Sequence, residues 1–328
     1  MGVLKEASSE TIVPGSNSGD NQSTPPPPPG YVNPRDRTKQ RKTDISENEL
    51  AKLAASLEED RRAQWATLGW NGRGVGQAAT VQGLVCLVQT YKTILVFICE
   101  TRQSKERVEN LRYRIGMKHC YQVSGDGKGG GIALYWTEDV IADLLSFSKR
   151  HIDVHISGGP YNHMWRATFV YGEPKPVDRH LMWTKLRQIK DKSNKPWLMM
   201  GDFNEAMWQE EQFSRTPRSE RLMMDFREVL SHCDLYDIGF VGNPCTFDNK
   251  QKGDRNVRVR LDRVVSSRAW SLMFPDHRLR HIASSRSDHC PILMSIESAT
   301  NCRSDRPVRR YEIVWEREPS LPAAVEEA

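Results

Sequence analysis

Two short polar clusters in the sequence carry groups that can take part in phosphate-ester cleavage. The first, Gly201-Asp202-Phe203-Asn204, follows an apolar run, and the second, Ser287-Asp288-His289-Cys290-Pro291, precedes one. Apolar runs of this length beside turn residues predict buried strands. Carboxylates, an amide and an imidazole at the ends of buried strands are costly unless they bind something. We therefore predict that they bind a divalent cation and a phosphate.

Four further segments carry polar residues in the same kind of position. Asn71, Glu100 and Tyr171 each follow an apolar run, and residues 257–262 alternate between apolar and charged side chains. This alternation predicts a strand with Arg258, Arg260 and Asp262 on one face. The sequence therefore predicts that eight residues converge on one rim of a sheet structure, namely Asn71, Glu100, Tyr171, Asp202, Asn204, Asp262, Asp288 and His289.

The residue types in this set favour a hard cation. Oxygen ligands without a thiolate suit Mg²⁺ or Mn²⁺, and Glu100 and then Asp288 are the predicted ligands. Asp202 is predicted to orient or deprotonate water. Asp262 is predicted to hold His289 in one tautomer and to favour its charged form. The predicted hydrogen-bond donors to phosphate oxygens are Asn71, Asn204, Tyr171 and His289.

The order of these clusters resembles the endonuclease/exonuclease/phosphatase family. The matching segments are Trp70-Asn71-Gly72-Arg73-Gly74, Cys99-Glu100-Thr101-Arg102, Val170-Tyr171-Gly172, Gly201-Asp202-Phe203-Asn204, Arg260-Leu261-Asp262-Arg263 and Ser287-Asp288-His289-Cys290-Pro291. Three segments further resemble the apurinic-type endonuclease domain of plant LINE-type (non-LTR) retrotransposons: Tyr171-Gly172-Glu173-Pro174, Arg260-Leu261-Asp262-Arg263 and Trp270…Phe274-Pro275. Each polar residue alone could be a simple turn former, but independent turn formers have no reason to follow the family order.

The resemblance implies an α/β (α+β) fold, a four-layer α/β/β/α sandwich of two mixed sheets flanked by helices. It also implies a Mg²⁺-dependent DNA endonuclease that leaves a 3′-hydroxyl and a 5′-phosphate. Glu100 and Asp288 would lie at the metal and Asp202 would serve the water, while His289 is either a base or an electrostatic stabiliser. Two alternatives stay open: another phosphoesterase, such as an inositide phosphatase or a deadenylase, or a non-catalytic nucleic-acid-binding remnant.

The basic residues favour a polyanionic partner, which we predict to be DNA. The net charge is +5 and the pI is about 8.8, and six basic residues fall within fourteen positions: Lys250, Lys252, Arg255, Arg258, Arg260 and Arg263. We call this segment the basic ridge and predict that it contacts phosphates beside the site. The alternative is a solvated strand edge. Phe247 lies in a neighbouring loop that is also predicted to touch DNA, although relatives commonly have a tryptophan after the threonine there.

Cysteine spacing and hydropathy argue against several classes of protein. The seven cysteines form no Cys-x-x-Cys pair, which argues against a zinc module or a disulfide framework and predicts a reducing, nuclear or cytoplasmic location. No apolar run of 18 residues exists, and the N-terminus lacks an apolar signal core. We therefore expect no membrane partner. The oligomeric state is left open.

Composition divides the chain into four predicted segments. Residues 1–43 form a Pro/Ser/Gly-rich tail with a basic patch, which is either a plain soluble tail or a nuclear address or nucleic-acid arm. Residues 44–64 are predicted to form an amphipathic helix and linker. Residues 65–298 form the nuclease-like domain. Residues 299–328 resemble the start of a LINE-type linker, and the lack of a following reverse transcriptase suggests a truncated element or gene fragment.

Overall fold

The computed structural model describes residues 64–125, 130–158, 163–284 and 286–297. The predicted tail, the predicted helix before Gln64 and the predicted C-terminal tail lie outside them. The elements, in chain order, are β1 Gln64–Asn71, α1 Ala78–Tyr91, β2 Leu95–Cys99, α2 Lys105–Arg114, β3 His119–Val123, β4 Ile132–Trp136, β5 Val140–Ser148, β6 His151–Gly158, β7 Trp165–Tyr171, α3 Arg179–Lys190, β8 Trp197–Asp202, β9 Gln212–Phe213, α4 Glu220–His232, β10 Tyr236–Asp237, β11 Val241–Gly242, β12 Phe247–Asp248, β13 Arg258–Val259, β14 Asp262–Ser266, α5 Arg268–Met273, β15 His277–His281 and β16 Ile292–Glu297.

The first large sheet has the strand order β11-β15-β16-β1-β2-β4-β3. β1 is central and pairs antiparallel with β16 and parallel with β2. The parallel register sets Asn71, the last residue of β1, beside Cys99, the last residue of β2. Glu100 follows directly, so the carboxyl ends of two neighbouring strands place Asn71 and Glu100 at the same edge of the sheet.

The second large sheet has the strand order β10-β14-β8-β7-β6-β5. β8 pairs parallel with β7 and antiparallel with β14. Its register aligns Tyr171 with Asp202 and Asp202 with Asp262. Three of the predicted site residues therefore form one row across three adjacent strands.

Three apolar clusters lie between four layers of secondary structure, which are two sheets and the helices on their outer faces. The core between the sheets packs Phe97 against Phe169 at 5.3 Å between ring centroids, and Trp65 against Trp165 at 5.6 Å. Residues of α1 and α2 cover the outer face of the first sheet, and residues of α3 and α4 cover that of the second. The predicted α/β/β/α sandwich of two mixed sheets is thereby confirmed. No helix in the described part of the chain is long and apolar enough to cross a membrane.

The predicted continuous strand over residues 257–262 is wrong. β13 belongs to a small sheet with β9 and β12, whereas β14 starts at Asp262 in the second large sheet. The chain changes sheets between them, where the backbone N–H groups of Leu261 and Asp262 both donate to Thr246 Oγ1 at 2.9 Å. Arg260 is only 5% exposed, because this crossover breaks the alternation of buried and exposed side chains.

Candidate active site

One amide joins the carboxylates of the two sheets. Asn71 is buried, and its Nδ2 donates to Glu100 Oε1 at 3.0 Å and to Asp202 Oδ2 at 2.9 Å. Each amide hydrogen therefore serves a carboxylate from a different sheet. The backbone carbonyl of Asn71 accepts from Ser287 Oγ at 2.9 Å, which ties the segment before β16 to the same point.

Glu100 lies in a left-handed backbone conformation, with φ of 53°, directly after β2. The Tyr171 hydroxyl donates to its Oε1 at 3.0 Å, and Arg102 pairs with its other oxygen. Burial opposes ionisation, but the hydrogen bonds from Asn71 and Tyr171 and the charge of Arg102 together lower the pKa of Glu100. The carboxylate is therefore negatively charged at neutral pH and is suited to a cation.

The end of β8, next to β7, depends on a glycine. Gly201 has φ of 146°, and a Cβ at this position would lie 2.0 Å from the carbonyl oxygen of Val170. β7 and β8 thus approach closely just before Asp202. Asn204 has φ of 55°, and its N–H donates to Asp202 Oδ1 at 2.8 Å while its Nδ2 donates to the Gly172 carbonyl at 3.0 Å. The turn fixes the orientation of the Asp202 carboxyl group.

His289 and Asp262 form a buried hydrogen-bonded pair. His289 Nδ1 lies 2.7 Å from Asp262 Oδ2, and its Nε2 lies 3.8 Å from Asp202 Oδ2. Burial lowers the pKa of His289, but Asp262 and Asp202 outweigh it and raise the pKa to about 9. Burial also raises the pKa of Asp202 to about 6, with His289 opposing and Asp262 reinforcing the shift. The imidazole is therefore charged at neutral pH, and its Nε2–H points toward the site.

The two predicted metal ligands face a common point. Arg73 pairs with Asp288 Oδ2 through Nη1, and its Nε lies 3.9 Å from Glu100 Oε2. One half-exposed guanidinium thus stands between two carboxylates. Because a cationic group already occupies this position and the donors are carboxylate oxygens, the pair fits a hard divalent cation.

A second set of side chains, two carboxylates and an imidazole, also has a spacing compatible with a metal ion. Asp202, Asp262 and His289 each offer one ligand atom, and these atoms lie within 4.8 Å of one another. His289 Nδ1 is already engaged by Asp262, and a protonated imidazole cannot ligate a metal. The geometry of these three residues therefore fits a hydrogen-bonded proton and charge network better than a closed metal site.

The basic ridge divides into exposed and buried residues. Lys252 and Arg255 are exposed on the connection between β12 and β13, and Arg258 is exposed at the start of β13. Lys250 Nζ donates to the Ser287 carbonyl at 2.7 Å. The Phe247 ring lies 5.1 Å from that of His289. These five predicted DNA-contacting residues thus lie on, or next to, one hairpin, and two of them touch the segment 287–289.

Arg260 and Arg263 do not belong to a phosphate-contacting surface. They are 5% and 0% exposed, and both pair with Glu211 and Asp237, at 2.7–3.1 Å. Burial alone would raise the pKa of both acids, but the two arginines lower it. The prediction that these two arginines contact phosphates is wrong, because both are buried and form ion pairs with carboxylates inside the protein.

Two residues of the site were not predicted from the sequence. Arg73 lies two residues after Asn71, whose Oδ1 accepts the Arg73 N–H at 3.1 Å. This asparagine-centred turn is a recognisable local signal. Thr246 is fully buried and holds the start of β14 through its hydroxyl, and only the crossover between sheets reveals that contact.

Sequence comparison identifies the family. A model described as the Endonuclease/Exonuclease/phosphatase family matches residues 59–289, well over half of the chain. The chain belongs to the endonuclease/exonuclease/phosphatase family. A search of curated proteins found no match.

Solved structures of low sequence identity share the fold of this endonuclease/exonuclease/phosphatase family member. The endonuclease domain of TRAS1, a telomere-specific non-LTR retrotransposon, is 17% identical with a TM-score of 0.54, and the match covers 71% of this chain and 98% of that one. The AP endonuclease LMAP from Leishmania major is 15% identical with a TM-score of 0.56, and the match covers 74% of this chain and 90% of that one. The 3′ phosphatase NExo from Neisseria, bound to a product DNA hairpin, is 18% identical with a TM-score of 0.56, and the match covers 72% of this chain and 99% of that one.

The burial of Arg263 leads to a stability prediction. Replacing Arg263 with Met leaves Glu211 and Asp237 with one fewer cation in a buried setting, which should cost about 3–5 kcal/mol of unfolding free energy. Arg258→Met is the matched control, because Arg258 is exposed and should change stability by less than about 0.5 kcal/mol. Urea denaturation measures both variants. Equal stability of the two variants would contradict the buried network.

Proposed function

We propose that this protein is a divalent-metal-dependent DNA endonuclease that nicks one strand and leaves a 3′-hydroxyl and a 5′-phosphate. The observation that carries the proposal is the Asn71 amide, which donates to both Glu100 and Asp202. The pKa of Glu100 is lowered and that of Asp202 is raised, and Asp202 lies near a charged His289. Groups of this kind are needed to activate water and to stabilise a phosphoryl transition state.

Glu100 and Asp288 would hold Mg²⁺ or Mn²⁺. When bound, the metal would neutralise charge that develops on the phosphoryl oxygens. The shared contact of both carboxylates with Arg73 supports this pairing. Arg73 is half exposed, so its side chain has room to leave the position between the carboxylates when a cation takes it.

The protein's own side chains would divide the remaining work. Asp202, whose pKa of about 6 lets it accept a proton near neutral pH, would orient and deprotonate the attacking water. His289, kept charged by Asp262, would donate its Nε2–H to a phosphate oxygen and so act as a stabiliser. The other donors to phosphate oxygens would be Tyr171, Asn71 and Asn204.

DNA is the proposed substrate because of the hairpin beside the site. Exposed Lys252, Arg255 and Arg258 would contact flanking phosphates. Lys250 reaches the segment that carries Asp288, and Phe247 packs near His289. We further propose that the protein originates from a plant retrotransposon of the LINE type. The residues of the three segments that resemble the endonuclease domains of such elements support this origin. The fold shared with the TRAS1 endonuclease domain is compatible with that origin.

Metal dependence provides the first test of function. The full chain should convert supercoiled plasmid to open circle with Mg²⁺ or Mn²⁺, and EDTA should stop the reaction. Glu100→Gln should raise the Mg²⁺ concentration for half-maximal nicking by about tenfold or more, because a carboxylate ligand is lost. The exposed Glu109→Gln on α2 is the matched control and should behave as wild type. Undiminished nicking in EDTA would refute the metal assignment.

The roles of His289 and Asp262 predict unequal losses. His289→Ala should reduce turnover by about a hundredfold or more, because it removes a preorganised donor. Asp262→Asn should cost less, since Asp262 only orients and charges the imidazole, which remains in place. His155→Ala is the control, because His155 lies on β6 and its imidazole hydrogen-bonds Ser193 in the connection between α3 and β8. The assay is single-turnover nicking, with circular dichroism to verify folding. A folded His289→Ala protein of wild-type rate would contradict the assignment.

The DNA assignment predicts a specific salt dependence. Lys252→Glu together with Arg255→Glu should weaken binding to every DNA sequence alike and reduce the log–log salt slope by about 0.9 per lost phosphate contact. Cleavage of a small chromogenic phosphodiester should not change. Lys192→Glu with Lys195→Glu is the control, because these exposed lysines precede β8, at the end opposite to Asp202. If both double variants bind DNA as wild type does across the salt titration, the hairpin is only a solvated edge.

A further inference from the structure

A carboxylate shared by two arginines lies behind the turn after β8. Glu205 is fully buried and pairs with Arg179 through Oε2 and with Arg218 through Oε1. Its Oε1 also accepts the N–H of Ala206 at 3.1 Å. We call Arg179, Glu205 and Arg218 the charged triad. None of the three belongs to the groups that are proposed to contact the phosphate.

Each of the two arginines also donates to a different loop of the site, and Arg218 Nη1 donates in addition to Gln212 Oε1 at 3.0 Å. Arg179 donates to the carbonyls of Glu173 and Pro174 at 3.2 and 3.3 Å, in the loop that directly follows Tyr171. Arg218 donates through Nη2 to the Asn204 carbonyl at 2.9 Å. Glu205 therefore connects the loop after β7 with the turn after β8 through one arginine on each side.

These two loops also meet on the side of the site. The Gly172 N–H donates to the Asp202 carbonyl at 2.6 Å, and Asn204 Nδ2 donates to the Gly172 carbonyl at 3.0 Å. Asn204 has a left-handed backbone, with φ of 55°, a conformation that is uncommon for residues other than glycine, although asparagine tolerates it better than most. A contact that holds its carbonyl from behind, as Arg218 does, opposes relaxation of this conformation.

We propose that the charged triad is a set of positioning residues that fixes Asn204 and the 172–174 loop in the orientation the reaction needs. The proposal rests on the proposed function, because turnover is what the positioning would serve. The three residues act through others and touch no substrate, so they should affect turnover far more than substrate binding. A displacement of about 1 Å at a catalytic group costs on the order of a hundredfold in rate.

A second buried ion pair supplies a control for stability alone. Asp153 is fully buried and accepts from Arg166 Nε and Nη2, both at 2.9 Å, and from Thr168 Oγ1 at 2.7 Å. Arg166 also donates to the Lys190 carbonyl at 3.1 Å, at the end of α3. This pair has the same chemistry as the triad, but its hydrogen-bond partners do not belong to the two site loops.

The experiment compares Glu205→Gln with Asp153→Asn in the full chain, at a temperature well below both melting transitions. Both variants should melt at lower temperature than wild type. Only Glu205→Gln should lose turnover in the nicking assay, by about tenfold to a hundredfold, with KM changed by less than about twofold. Equal kcat of Glu205→Gln and wild type would overturn the proposal, as would an equal kcat loss in Asp153→Asn.

Two further measurements keep the test decisive. If Glu205→Gln does not fold, Arg218→Lys decides, because lysine keeps the charge but lacks the fork that reaches both Glu205 and the Asn204 carbonyl. Hydrogen exchange at the amides of 172–173 and 203–206 should accelerate in the triad variant and not in Asp153→Asn. This readout needs no catalysis: an inactive wild type would refute the proposed function, whereas unchanged exchange would refute the positioning role.

Discussion

The two hydrogens of the Asn71 side-chain amide hold together carboxylates that arise from different sheets. Glu100 follows β2 in the first sheet, and Asp202 ends β8 in the second. Two buried negative charges repel each other strongly in a medium of low dielectric constant. A polarised N–H donated to each one offsets part of that repulsion, but only when the sheets keep a fixed separation. The aromatic core between the sheets sets this separation, and the chemistry of the site therefore depends on packing some distance away.

The same surroundings push the pKa values of neighbouring carboxyl groups apart. Glu100, with hydrogen bonds from Asn71 and Tyr171 and the charge of Arg102, has a lowered pKa. Asp202 is more deeply buried beside Asp262, and its pKa rises to about 6. Two carboxyl groups of similar intrinsic acidity thus differ in their readiness to hold a proton. A separation of this kind suits one group to a cation and the other to proton transfer, as in the proposed function.

The arginines of this protein serve two purposes that composition cannot distinguish. Arg260 and Arg263 neutralise Glu211 and Asp237 inside the molecule, and Arg179 and Arg218 neutralise Glu205. Arg255 and Arg258 instead face solvent on the hairpin between β12 and β13. The buried group organises loops through hydrogen bonds to backbone carbonyls and carboxylates, whereas the exposed group is available to an anionic partner. A net positive charge therefore overstates the surface available for nucleic acid.

The sequence by itself determined the fold class and the identity of the polar residues at the strand ends. Short apolar runs that end in Asn71, Tyr171 or Asp202 specify buried strands, because periodicity and burial are local properties of the chain. Their order along the chain was sufficient to indicate the family. The tertiary structure alone decided which basic residues are exposed, since the crossover between β13 and β14 buries Arg260 against acids 23 and 49 residues away in sequence. It also decided the Arg73 contact with Asp288 and the triad around Glu205, because strand pairing within each sheet brings together loops that are distant in the chain.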